Sequence, residues 1–166
     1  LTILKNENIN LFINRIPGLN PLTKKNLIKM TKKITEVSHN ILPNQKIDCM
    51  VYACTSGTIT AGFKSIVSKI KLAKPTAKVV TPSSATINAL NKMKIKKISI
   101  FTPYSKKLND EVVDFFKKNN FKVLSNYYLD IKSDKKIGQI DKKNLLKILS
   151  NLEYKNVDAV FLSCTA

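Results

Sequence analysis

Apolar residues fall along this chain in two alternating patterns. One is the short unbroken run bounded by polar or turn residues, which reads as a buried strand. The other is spacing by three and four, which reads as one face of a helix. Taken in order, residues 9–16 (INLFINRI) form a first apolar run and predict a strand, followed by a turn-rich loop at 17–21 (PGLNP). Thr23 stands at an N-cap position before Leu27, Met30, Ile34 and Val37, which predicts one amphipathic helix ending near His39, Asn40 and Pro43. Residues 47–57 (IDCMVYACTSG) predict a strand and the turn after it, and Ile59, Phe63, Ile66, Val67 and Ile70 then mark a helical face. A strand at 77–81 leads through Pro82-Ser83-Ser84 into a short helix carrying Ile87, Leu90 and Met93. A strand at 97–102 (KISIFT) turns at Pro103-Tyr104-Ser105 into a helix with Leu108, Val112, Phe115 and Phe116 on one side, closed by Asn119-Asn120. A strand at 121–129, a charged loop at 133–138, a helix capped by Asp141 with Leu145, Ile148, Leu149 and Leu152, and a last strand at 157–165 complete the order. Strands alternating with helices imply an α/β fold of parallel sheets with helices on both faces.

One pattern repeats. Residues 47–55 return as 157–165 (VDAVFLSCT) at a constant offset of 110, so that Asp48 meets Asp158, Ala53 meets Ser163, Cys54 meets Cys164 and Thr55 meets Thr165. Both copies are led by Asp and closed by Cys-Thr. Two thiols therefore stand in register at the carboxyl ends of two strands, the edge of a parallel sheet where ligands bind. The repeat predicts two pseudo-symmetric doubly wound halves, 1–96 and 97–166, facing one site.

Composition changes this picture little. Hydrophobic residues make up 43% of the 166, enough for a core, and no apolar run approaches the roughly 20 residues that a membrane helix needs. Three cysteines without a CxxC pair fit a reducing compartment, and cytoplasm is the expected location. The chain starts at Leu1 and stops at Ala166 directly after a predicted strand, which suggests an interior piece of a longer protein. Charge is strongly positive, +18 from 29 Lys+Arg against 11 Asp+Glu. Nearly all of it is lysine spread as pairs along the chain, with Arg15 the single arginine. Base reading and bidentate phosphate contacts favour arginine and a concentrated patch, so no nucleic-acid partner is expected.

The chemistry concentrates on the first repeat. Cys54, Thr55 and Ser56 occupy a strand-to-helix turn, where free N–H groups and hydroxyls can receive an anion and where a helix amino end favours a thiolate. Thr55 and Ser56 also suit simple capping. Cys49, inside the run, reads as a small buried hydrophobe, and His39, the only histidine, as a solvated helix end. One histidine and scattered carboxylates offer no metal-ligand cluster.

The strings YACTSGT (52–58), VTPSSATINAL (80–90), ISIFTPYSKKLNDEVVDFF (98–116) and VFLSCTA (160–166), in this order, resemble the aspartate/glutamate racemase superfamily. Within it they are most similar to the maleate cis-trans isomerase and arylmalonate decarboxylase group, over about residue 9 to the end. The resemblance implies a cofactor-independent enzyme of two α/β domains with the active site between them, acting on a small dicarboxylate, with a homo-oligomer as a further possibility. It implies Cys54 and Cys164 as the catalytic pair, with Thr55, Ser56, Tyr104 and Thr165 at the substrate carboxylate. The family's first strand would precede Leu1 and its last strands would follow Ala166. Decarboxylases of the group carry glycine where this chain has Cys54, so two retained thiols favour an isomerase or racemase. A decarboxylase-like or ectoine-utilisation enzyme of the same group stays open, as does a basic binding protein that keeps the fold without catalysis.

Overall fold

The structure, a computed structural model, describes residues 8–152 and 154–164. Its two parallel sheets follow the expected alternation. The first pairs β1 (Cys49–Val51) with β2 (Lys78–Val80). The second has the order β4-β3-β5, from β3 (Lys97–Thr102), β4 (Lys122–Tyr128) and β5 (Ala159–Leu162). Both members of the repeat open a strand directly after their aspartate, β1 at Cys49 and β5 at Ala159.

β3 lies at the centre of its sheet and buries every residue from Ile98 to Thr102. α6 (Lys106–Lys118) lays Leu108, Val112, Val113 and Phe116 over it, and the Phe116 ring meets Phe121 edge-on and Phe161 at 4.7 Å. Each fully buried side chain of this kind contributes roughly 1.5–3 kcal/mol of transfer free energy. A second core gathers Ile34, Met50, Tyr52, Ile66, Ile70 and Ala77 beneath β1 and β2.

Several expectations are corrected. No strand forms at 9–16; Ile9, Leu11, Phe12 and Ile13 are exposed, because nothing among the described residues pairs with this run. The helix after Thr23 is two helices, α1 (Lys24–Thr31) and α2 (Ile34–His39). Thr31 donates its hydroxyl to the Ile28 carbonyl at 2.8 Å, competing with the helix ladder, and the chain passes from the core that holds Leu27 to the one that holds Ile34. The next helix is also split, into α3 (Thr55–Ala61) and α4 (Phe63–Ala73), by Gly62 at φ 83°, a conformation open to glycine. α5 (Pro82–Lys92) starts in a capping box between Thr81 and Ser84. Part of the expected charged loop is a short helix, α7 (Asp134–Ile137), anchored by buried Ile137, and α8 (Lys142–Ser150) follows. β1 is not buried on both faces. Met50 points into the second core while Cys49 and Val51 are exposed, because helices cover one face of the two-stranded sheet. Cys49 is thus not the buried hydrophobe its run suggests.

Candidate active site

Cys54 ends the segment after β1 and caps α3. Its sulfur accepts the Gly57 N–H at 3.3 Å, and its carbonyl accepts the Thr58 hydroxyl at 2.7 Å and the Thr58 N–H at 3.0 Å. Ser56 Oγ stands 3.8 Å from the same sulfur. Thr55 and Ser56, both buried, fill the first two helical positions, where backbone N–H groups have no partner inside the helix. α3 is only seven residues long, so local donors rather than a long helix field act on the thiol.

Tyr104 approaches from the second sheet, on the turn between β3 and α6. It is 2% exposed, and its hydroxyl lies 3.0 Å from Ser163 Oγ, one residue before Cys164. Burial raises its pKa, reinforced by charge at Cys164 and at Cys54, while hydrogen bonds to Ser163 and Ser56 pull the other way. The balance keeps the phenol protonated and hence a donor. Cys164 follows β5 with a left-handed backbone, φ 61°, of the kind that costs about 1–3 kcal/mol and collects at functional sites.

These groups meet at one cleft of about 510 Å³. Cys54, Thr55, Ser56, Tyr104 and Cys164 all line it; Thr165 lies outside the described residues. The walls are largely apolar, from Leu19, Leu22, Met30, Pro82 and Phe161. The loop bearing Gly18 and Leu19 lines the cleft and is tied to residues 132–134, since Leu22 N–H donates to the Lys132 carbonyl at 2.8 Å and Asp134 N–H to Asn20 Oδ1 at 3.0 Å. Despite 29 Lys+Arg in the chain, the charged side chain on the lining is Asp134, so an anion here would be held by neutral hydroxyls and N–H groups.

Two neighbours of the thiols escape a reading of the sequence. Ser163 was visible only as the partner of Ala53 in the repeat. Tyr52, two residues before Cys54, passes for an ordinary strand aromatic, yet its hydroxyl and the Cys54 sulfur converge beside Gly57. Among the described residues no group of three or more His, Cys, Asp or Glu could hold a metal ion, and no helix is long and apolar enough to cross a membrane. His39 sits exposed at the end of α2, beside a separate hollow with Lys74 and Pro75.

Residues 60–166 match the family model described as arylmalonate decarboxylase. The maleate isomerase of Geobacillus stearothermophilus is 28% identical over 149 residues, which cover 86% of this chain and 59% of that protein. The chain therefore spans about three-fifths of that relative's length. Among solved structures, the maleate isomerase Iso from Pseudomonas putida S16 superposes with a TM-score of 0.79 at 23% identity, covering 88% of this chain and 62% of the other. A serine-for-cysteine mutant of the Nocardia farcinica maleate cis-trans isomerase, with a covalently bound succinylcysteine intermediate, gives 0.75 at 17% identity, covering 86% and 60%. The fold is shared with these enzymes. With the family model matching well over half of its residues, the chain belongs to the arylmalonate decarboxylase family, in the group of the aspartate/glutamate racemase superfamily that also holds the maleate isomerases.

Proposed function

We propose that the protein is a cofactor-independent isomerase that interconverts the cis and trans forms of a small unsaturated dicarboxylate, maleate in the first instance. The observation that carries this reading is the convergence of two thiols and three hydroxyl groups, Cys54, Cys164, Thr55, Ser56 and Tyr104, on one largely apolar cleft. Halves 1–96 and 97–166, related by the offset of 110, would each supply one thiol.

One substrate carboxylate rests against the hydroxyls of Thr55, Ser56 and Tyr104, with Thr165 added from the second repeat. Charge that builds on it during reaction is stabilised by donors already in place. The Cys54 thiolate adds to one olefinic carbon, forming a C–S bond, while the π pair moves to the adjacent carbon and into its carboxylate. Cys164 delivers its S–H proton to that carbon. Rotation about the resulting single bond exchanges cis for trans. Cys164 then recovers the proton, the C–H pair restores the double bond, and the C–S pair leaves with Cys54. Both thiols return to their starting states without net oxidation or reduction. Support comes from the succinylcysteine adduct on the Nocardia relative and from the thiol at position 54. A reaction that needs reduced thiols suits the cytoplasm.

The test is the full-length protein assayed against maleate, with aspartate, glutamate and an arylmalonate as competitors for the assignment. Fumarate formed from maleate, without added cofactor, is expected. Turnover of an amino acid or loss of carbon dioxide from the arylmalonate, with maleate untouched, would replace this reading.

A further inference from the structure

We propose that Tyr52 is a positioning residue for Cys54: its hydroxyl and the Gly57 N–H form a two-donor cradle that holds the sulfur and favours its thiolate. The inference rests on the isomerase reading for its purpose, and the cradle is argued from the approach of the Tyr52 hydroxyl and the Cys54 sulfur to one point beside Gly57.

Alternation along the strand places Tyr52 on the same side as Met50, so its ring packs into the core with Ile34, Ile66 and Ile70 and is 9% exposed. From that fixed base the hydroxyl reaches the underside of the turn. A Cβ built on Gly57 would lie 2.6 Å from Tyr52 Oη and 2.9 Å from Cys54 Sγ, so phenol, sulfur and the Gly57 backbone converge on one point. The Gly57 N–H donates to the sulfur at 3.3 Å. A side chain at position 57 would occupy the space where the phenol and the thiol meet, which accounts for glycine in the first turn of α3, a place its conformational freedom does not favour. Burial raises the Tyr52 pKa, with Cys54 acting in the same direction, so the phenol stays protonated and able to donate near neutral pH. Tyr52 is absent from the lining of the cleft that holds Thr55, Ser56 and Tyr104. Two donors to a thiolate, one of them anchored in a packed core, lower its energy relative to the thiol and fix its direction of attack.

The test is the rate at which iodoacetamide alkylates Cys54 in the full-length protein as a function of pH, read at that residue by peptide mass spectrometry, for wild type, Tyr52→Phe and Gly57→Ala. Tyr52→Phe keeps the ring and removes the donor. Its alkylation near neutral pH is expected to fall about tenfold, the effect of losing one hydrogen bond to a charged group, and to converge with wild type at alkaline pH, where the thiol ionises unaided. Gly57→Ala, which pushes phenol and thiol apart, is expected to shift the profile in the same direction. A Tyr52→Phe profile that overlays wild type while circular dichroism shows an intact fold would overturn the proposal. Should Tyr52→Phe lose its fold, Gly57→Ala decides: a shifted profile upholds the cradle and an unshifted one overturns it. No substrate enters this measurement, so a wild-type protein inactive on maleate would refute the isomerase reading and leave the cradle result standing.

Discussion

Tyr104, on the turn after β3, holds its hydroxyl 3.0 Å from Oγ of Ser163, the residue before Cys164, and lines the same cleft as Ser56, two residues after Cys54. One phenol thus stands at the cleft that both Cys-bearing segments line. Tyr104→Phe is expected to lower kcat about 10²-fold, the usual effect of deleting one donor to a developing anion. It also leaves Ser163 short of a buried partner, so the thermal midpoint should fall by the equivalent of about 1–3 kcal/mol. Steady-state kinetics with thermal unfolding checks both.

Among the described residues Lys74 is the lysine that is buried. It is 5% exposed and donates to the Leu42 carbonyl at 2.7 Å and to the Gln45 carbonyl at 3.0 Å, fastening the loop after α2 to the end of α4. Lys74→Met keeps the volume and removes both bonds. A loss of about 3 kcal/mol is expected in urea unfolding, since hydrogen bonds from charged groups contribute about 1.5–3 kcal/mol each. Substitution of exposed Lys64 should change the midpoint little.

Asp158, the leading residue of the second repeat, accepts the Lys97 N–H at 2.9 Å and the Lys96 N–H at 3.2 Å. These bonds, the one from Lys97 foremost, hold its carboxyl below its ordinary 3.8. A pKa depressed in the folded state means stability that is fully present above the unfolded value and is lost as pH falls through the folded one. The difference in unfolding midpoint between wild type and Asp158→Ala should be constant at neutral pH and shrink below pH 3.8. A difference that grows on acidification would contradict the assignment.

Where pattern and packing coincide, the sequence was a good guide. The strand at 97–102 is legible to the residue because a lysine pair and Pro103 bound a run whose inner members are all buried at a sheet centre. The run at 9–16 has the same look without a pairing partner among the described residues, and pairing is not encoded in the run itself. Gly62 interrupts an apolar periodicity that continues on either side of it, so the break between α3 and α4 is hidden in one residue. Cys49 and Met50 differ little in hydrophobicity, and which of them faces the core depends on the layer that happens to cover β1. At the site, Cys54, Thr55, Ser56, Tyr104 and Cys164 stood out through the repeat and the family strings, and they meet at one cleft. Tyr52 and Ser163 did not, because Tyr52 meets a turn two to five residues on and Ser163 meets the turn after the neighbouring strand β3, contacts that only the folded chain makes.

The account stands on Cys54 as the thiol that bonds to substrate and Cys164 as the one that moves the proton. Intact-protein and peptide mass spectrometry of full-length Cys164→Ser after incubation with maleate tests this most directly. The account predicts that turnover stops while one equivalent of maleic acid accumulates covalently on Cys54, since addition can borrow a solvent proton but elimination lacks its base. Cys54→Ser should show neither adduct nor turnover. An adduct on Cys49, no adduct on Cys164→Ser, or substantial turnover by Cys54→Ser would contradict it.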